Sequence, residues 1–533
     1  MSPPAPSVDL ETTLFDVIIV GSGFGGGTVA YALSRAGLNV LLVERGGWPH
    51  RDETDWNGRA ILLEGRYRGD SVVRVRQLGA SDAVDTFPNQ VVGGNSIFFG
   101  GAALRLRASD FGRWPIGYAD LEPHYGAAEA LLEVHGRGGE DPCEPPRSSA
   151  YPYQPPPLTA PARRILDAGR QLGFHPFQLP IALNHSGTRE PKCIRCFTCD
   201  GFPCRIGAKN DVTQTALAKA DPEHLAVVAR MTVTRLIERD GRIDGVEAVD
   251  RDSQRRFVLR ARLTVCSGGA IGTPALMLRS GLDRLDVSGA LGRYLMRHCN
   301  AMIGYVFPFR TNPEQVNHKQ ICISDLYESV RARDGTALGV IQDMCMPPRE
   351  VVRALGPVGF RWAAAASANL IQTLLCVAED EPQAENRVTL DLDVPLVRHE
   401  YAAGDGRRRD ELVRVARRIL RKAGGLVGKV RPIDSFSHAV GTARFGRSAA
   451  DSVLDVDCRF WALPNLFVVD GSFMPTSGGV NPSLTITANA LRVAARISSR
   501  FAEFAAAGGR GSSARVQKLP AELSEIEQSG PRS

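Results

Sequence analysis

The strongest constraint on this chain lies near its N-terminus. An apolar run, FDVIIV at residues 15–20, passes straight into Gly21-Ser22-Gly23-Phe24-Gly25-Gly26. An unbroken apolar run closed by glycine reads as a strand buried on both faces, the kind found in parallel sheets. The glycines fit G-x-G-x-x-G and open a helix expected over 27–36. Gly21 permits the tight turn, Gly23 lets backbone approach a pyrophosphate, and Gly26 allows close helix–strand packing. The helix N-terminus then faces the negative charge. A second strand, NVLLVER, reaches Glu44 about twenty residues on, where a carboxylate accepts from ribose hydroxyls and repels a 2′-phosphate. Gly21, Gly23, Phe24, Gly26, Glu44 and Arg45 therefore form a dinucleotide cradle that disfavours NADP. The motif does not separate FAD from NAD.

A chain of 533 residues exceeds one usual core, so a second unit is expected beside the cradle. The 43% apolar and 23% charged content is that of a globular enzyme. The net charge of +6 includes arginine clusters such as 407–409, but no basic stripe interleaved with aromatics, so no nucleic-acid partner is expected. No apolar run reaches about 18 residues; 362–377 comes closest and is broken by Ser367, Asn369 and Gln372. No integral membrane segment is expected. The opening residues lack a basic stretch followed by an apolar one, and cytoplasmic residence is the expectation. There, the 11 cysteines would be thiols or metal ligands rather than a disulfide framework.

Further along, proline-rich 144–158 reads as an extended surface linker. Residues 225–250 read as strands with a hairpin turn at Asp240-Gly241, and 263–281 as strand, glycine turn and helix. From about 300 to 430 the pattern is less regular, with a strand-like NRVTLDLD and one amphipathic helix over 410–423. After Gly508 the composition suits a disordered tail. The expected fold is α/β. A Rossmann-like nucleotide-binding domain is assembled from 14–110, 205–300 and 430–505. An inserted α+β substrate-binding region with an antiparallel sheet covers 111–204 and 301–429, and 1–13 and 506–533 are flexible ends.

The last folded stretch points to the chemistry. FSHAVGTARFG at 436–446 sets His438 before a Gly-Thr turn; NLFVVDGSFMPTSGGVNPSLTITANALRVAARI at 465–497 holds an apolar strand at 466–470, an Asp-Gly step and Asn481. Together with the cradle, VVGGNSIFFGGAALRLRASDF and VCSGGAIGTPALMLRSG, these motifs resemble the glucose–methanol–choline (GMC) oxidoreductases, FAD enzymes that oxidise alcohols. The resemblance runs from Phe15 to Arg500 and is weakest over 300–430. It implies His438 beside the flavin and Asn481 at a position held by histidine or asparagine. It places Asp470, Gly471, Asn481 and Pro482 against the FAD ribityl, phosphate and ring, Val233 on the adenine side, and Gly94 and Asn95 near the isoalloxazine.

Such chemistry needs a base for the hydroxyl proton as hydride leaves for flavin N5, and an imidazole suits that task near neutral pH. An amide can hold the substrate oxygen without competing for the proton. The sequence departs from the family at Phe99, where many members carry asparagine; an aromatic there resembles the bacterial sugar-dehydrogenase branch. No histidine that would tether FAD stands in this stretch, so non-covalent FAD is expected. The expected substrate is a small hydrophilic alcohol, sugar-like or polyol, with oxygen or a redox partner protein taking the electrons. Two other uses of such a chain are a flavin lyase and an electron-transfer subunit.

Cys193, Cys196, Cys199 and Cys204 follow C-x2-C-x2-C-x4-C, one residue longer in the last gap than a bacterial ferredoxin run. Three readings stand: thiols or labile disulfides, an iron–sulfur cluster, or zinc. The cluster reading draws on some bacterial GMC dehydrogenases, where a cysteine group precedes a stretch like Ile206-Gly207-Ala208. Cys266 and Cys376, in apolar runs, are expected in the core. His298 is expected to be structural or FAD-adjacent, Glu379 a solvated loop acid, Trp114-Pro115 a packing landmark, and Ser437 at most a group that orients His438.

Overall fold

The computed structural model describes residues 9–77, 82–346, 348–356, 358–359 and 361–506. The tail expected after Gly508 and most of the expected leader lie outside these residues.

Three sheets organise the chain. The first runs in the order Leu225–Val228, Val40–Val43, Leu14–Val20, Arg256–Cys266, all parallel, with Leu466–Val468 also parallel to the last. Val17, Ile18 and Ile19 have no solvent exposure, as a run covered on both faces requires. Arg256–Cys266 outruns its parallel neighbours and continues into an antiparallel meander with Arg242–Asp250 and Met231–Arg239. The hairpin turn falls at Asp240-Gly241, where both residues have positive φ (51° and 72°), the backbone that suits a right-twisted two-residue connection. The terminal strand stops at Val468, short of the expected 470, because Asp470 turns the chain and caps the short helix Gly471–Phe473.

The first helix spans Phe24–Arg35 and starts three residues before expectation. Its first turn absorbs Gly25 and Gly26, whose missing side chains are what lets it close. A Cβ on Gly26 would stand 1.9 Å from the Gly21 carbonyl oxygen, and one on Gly25 would stand 2.3 Å from that of Val469. A Cβ on Gly23 would meet nothing within 4 Å.

The second sheet has six antiparallel strands, in the order Val427–Pro432, Ala301–Val306, Ile371–Val377, Val340–Met344, Ile321–Ile323, Phe177–Gln178. The stretch from 300 to 430, irregular by sequence, is therefore most of a sheet; its strands are short and pair out of chain order. Helices Ala160–Gln171 and Ala403–Lys422 back one face, around Ile303, Tyr305, Leu412 and Ile419. The second of these helices starts seven residues before the expected 410. Its polar opening is held because fully buried Arg408 pairs with Asp405, Glu381 and Asp334.

A third sheet, Arg387–Asp391, Val394–His399, Val73–Gln77, Val84–Thr86, joins stretches that the sequence assigned to different parts. It packs on helix Gly269–Arg279 through Val73, Val388 and Val397. The proline-rich stretch 144–158 has no helix or strand and is pinned where Tyr153 stacks on His135 at 4.9 Å and Arg147 pairs with Glu129.

Gly26→Ala is expected to lower the thermal unfolding midpoint, since overpacking at a closed site costs about 1–3 kcal/mol. Gly23→Ala is expected to leave the unliganded midpoint unchanged and to weaken dinucleotide retention. Calorimetry of the stripped protein and a bound-cofactor assay separate the two effects.

Candidate active site

His438 lies in the loop that follows strand Val427–Pro432. Its Nδ1 is 2.9 Å from Nδ1 of His298, 140 residues away in sequence. The other nitrogen of His298, Nε2, lies 2.9 Å from the Gly478 carbonyl oxygen and 3.2 Å from that of Ser477. Carbonyls only accept, so His298 Nε2 carries a proton and, in a neutral ring, Nδ1 does not. His438 Nδ1–H must then donate to His298, which leaves His438 Nε2 unprotonated and able to accept. Asn481 Nδ2 lies 3.3 Å from that nitrogen and donates to it, while Asn481 Oδ1 accepts from Gln342 Nε2 at 2.8 Å. The tautomers follow from the partners rather than from observed hydrogens.

His298 is held from behind. The Asp380 carboxylate accepts from the backbone amides of Arg297 (2.7 Å) and His298 (3.1 Å) and from Ser477 Oγ (2.7 Å). This fixes His298 at φ 63°, a left-handed conformation that few non-glycine residues adopt. Burial opposes ionisation of Asp380, yet His399, 3.7 Å away, together with His298 and these amides, draws its carboxyl below the usual range.

His438 as a residue is partly buried, and its imidazole is closely surrounded by protein. Burial, then the neighbouring His298 and Lys319, hold its imidazole well below the ordinary pKa of 6.5. Burial lowers His298 as well. Both rings are neutral at neutral pH. Lys319, almost fully buried, pairs with Asp200 at 2.7 Å.

At the other end, the cradle forms around Ser22. Glu44 accepts from Ser22 N (3.1 Å), Ser22 Oγ (2.7 Å) and Gly46 N (2.8 Å), and Ser22 Oγ accepts from Gly93 N at 2.9 Å. Glu44 thus braces the turn. Gly94 stands against Gly23, its Cβ position 3.2 Å from the Gly23 Cα, which puts Gly94 and Asn95 beside the phosphate turn. Helix Phe24–Arg35 has no side-chain cap and no acid in its first turn, so its leading amides are free for an anion. Helix Ser483–Ser499 starts uncapped directly after Asn481-Pro482 and packs on the first helix. Asp470 accepts from Ser472 N and Oγ, Gly269 N and Thr273 Oγ1, so its carboxylate is filled by protein donors and ties Gly471 to helix Gly269–Arg279. Val233 is buried on strand Met231–Arg239, and Arg45 is half-buried beside Glu44. Phe99 packs edge-on against Phe24 at 5.1 Å. An open Gly23, free helix amides and a glycine loop alongside fit a dinucleotide phosphate at this turn.

The four clustered cysteines are free thiols. Burial pushes Cys193 up to about 11 and Cys199 well above the ordinary thiol value, with the neighbouring cysteines adding to both. Among the described residues no group of three or more His, Cys, Asp or Glu is arranged to hold a metal ion. Cys193, Cys196, Cys199 and Cys204 lie close enough together for their charges to interact. Their loop is a buttress. Gly201 N donates to the Phe98 carbonyl (2.9 Å), and buried Lys209 donates to the carbonyls of Ile97, Cys199 and Phe202.

Glu379 is a correction. Expected in solvent, it is 3% exposed, accepts from the Ala337 amide, and is pushed up to about 8 by burial and then by Asp110. Trp114 packs as expected, its Nε1–H donating to Thr476 Oγ1 at 2.9 Å. Ser437 bonds Ser435 rather than His438. Gln342 and Lys319 carried no sequence signal, because Gln342 joins the site through sheet pairing and Lys319 from the loop before strand Ile321–Ile323.

Among the described residues no helix is long and apolar enough to cross a membrane. GMC oxidoreductase family models match residues 82–300 and 382–490, and an NAD(P)-binding Rossmann-like domain model matches 19–51. Paromamine 6'-oxidase of Streptomyces fradiae is 31% identical over 91% of both chains. 2-Methyl-1,2-propanediol dehydrogenase of Mycolicibacterium austroafricanum is 27% identical over 92% of this chain and 96% of its own. The crystal structure of a pyridoxine 4-oxidase shares the fold, with a TM-score of 0.65 at 21% identity over 90% of this chain and 99% of that one. The chain belongs to the GMC oxidoreductase family and is an oxidoreductase acting on CH–OH donors.

Proposed function

We propose that this protein oxidises a CH–OH group of a hydrophilic alcohol to the carbonyl, with His438 as the base. The substrate class is a sugar, polyol or aminoglycoside-like metabolite, and the cofactor is non-covalent FAD. The observation that carries the proposal is the unprotonated His438 Nε2, set beside the Asn481 amide by a chain of bonds running back to the Gly478 carbonyl.

FAD is the cofactor that family membership implies, and when bound it supplies the hydride acceptor. The chain's own residues do the rest. His438 Nε2 takes the hydroxyl proton as the carbinol hydrogen leaves. Gln342 holds the Asn481 amide oxygen, so that Asn481 Nδ2 faces His438 Nε2 and can donate to the substrate oxygen lying between them. His298 keeps the proton of His438 on Nδ1, away from the substrate. The first-turn amides of helix Phe24–Arg35 hold the pyrophosphate. The substrate class draws support from relatives named for paromamine and for a propanediol. The electrons leave to oxygen or to a redox partner protein.

His438→Ala is expected to remain yellow and FAD-loaded while anaerobic flavin reduction by substrate slows about 10²–10⁴-fold, the usual worth of a general base. Unchanged stopped-flow reduction would reject the role. The pH profile gives a second check. A base works only unprotonated, and a lowered pKa keeps His438 so at pH 6.5 and below. Reduction should hold its plateau through the ordinary imidazole range and fall only at more acid pH. His298→Asn, which removes a neighbour that lowers His438, should shift that acid limb upward.

A further inference from the structure

The third sheet carries an arginine row outside the active site. Arg387 is directly opposite Arg398, and Arg398 is directly opposite Arg76, so three arginines stand side by side across three adjacent strands. A backbone bridge sets Arg293 opposite Arg387 and extends the row. Strand alternation puts Arg76, Arg387 and Arg398 on the face turned away from helix Gly269–Arg279, since Val75, Val388 and Val397 point the other way.

Like charges directly opposite one another in a sheet repel. Little in the chain offsets this repulsion. Among the described residues the side chains of Arg76 and Arg398 form no ion pair or hydrogen bond, and the Nε of Arg76, Arg387 and Arg398 is buried without a partner. Among the described residues the one acid that pairs with the row is exposed Glu385, 3.8 Å from Arg387 and 3.6 Å from Arg293. Two residues along the same strand and face the chain does provide counter-charges. Arg74 pairs with Asp391 at 2.7 Å and with Asp85 at 3.6 Å.

We propose that the Arg76–Arg398–Arg387 row is a binding site for a linear oligophosphate. Guanidinium forks match phosphate oxygens in pairs, and Arg is the side chain best suited to do so. Two strand spacings make the row about 10 Å long. A single orthophosphate cannot engage its whole length, whereas a chain of phosphates can. The ligand is held by its phosphates, whether free or carried by a nucleotide. The site stands on none of the active-site reading.

The test is calorimetric titration of the full-length, FAD-loaded protein at fixed ionic strength with sodium tripolyphosphate, orthophosphate and ATP. Tripolyphosphate should bind one saturable site at least tenfold more tightly than orthophosphate. Arg398→Gln and Arg76→Gln should each weaken it at least tenfold. The double variant Arg414→Gln/Arg417→Gln, on the equally basic exposed face of helix Ala403–Lys422, should leave it unchanged. Equal affinity for ATP would assign the site to the phosphate chain alone, and tighter ATP binding would assign it to a nucleotide; either supports the proposal. Absence of saturable tripolyphosphate binding, or equal loss in the helix variant, would overturn it. Thermal unfolding guards against a folding artefact. Tripolyphosphate should raise the midpoint of the parent protein and not that of Arg398→Gln, whose unliganded midpoint should be no lower than the parent's. A parent midpoint that does not move also overturns the proposal.

Discussion

Two imidazole nitrogens meet at 2.9 Å between His298 and His438, and a hydrogen bond there needs one proton between them. Much of the site follows from which ring supplies it. The Gly478 carbonyl claims the far nitrogen of His298, and so the proton between the rings belongs to His438. The loop carrying that carbonyl, 477–482, is buried throughout. It is held from below by Tyr327, whose hydroxyl accepts from Gly479 N and donates to Asp110, both at 2.8 Å. Asp110 in turn meets Arg331. A buried polar network of this kind is stable only when its members are satisfied, and that requirement makes the histidine geometry unique.

The site is shared between two sheets. The segment after Leu466–Val468, in the first sheet, delivers Asn481, and the second sheet delivers Gln342 on strand Val340–Met344. The cysteine loop closes the gap from the side: Asp200 reaches Lys319 beside the second sheet, while Gly201 and Lys209 grip the residues after Gly94-Asn95. Burial raises the Cys193, Cys196 and Cys199 thiols above the ordinary value. Their density in the sequence reflects a tight buttress between the glycine loop and the inserted sheet.

Local features were legible in the sequence. The strand, glycine turn and helix at 14–35 can be read because each residue's task concerns its immediate neighbours, as where Gly26 clears Gly21. The Asp240-Gly241 hairpin was legible for the same reason. That Glu44 braces Ser22 one strand away was not. The antiparallel sheet between 300 and 430 was only half legible. Its strands are short, and Ala301–Val306 pairs with segments about 70 and 130 residues on, where no local period records the match. Glu379 looked like a loop acid because nothing nearby in sequence announces the burial that the fold imposes.

His438 and Asn481 stand out in the chain because they lie in recognisable motifs, and residue type alone suits them to a proton and an oxygen. Their working states come from elsewhere. The tautomer of His438 depends on His298 and on a carbonyl at Gly478; the orientation of Asn481 depends on Gln342, 139 residues earlier. The arginine row arises likewise from strands that meet only after folding. A sequence can state which chemistry a residue is capable of. Which nitrogen is left unprotonated, and which charges face each other, is decided by contacts between distant segments, and those exist only in the folded chain.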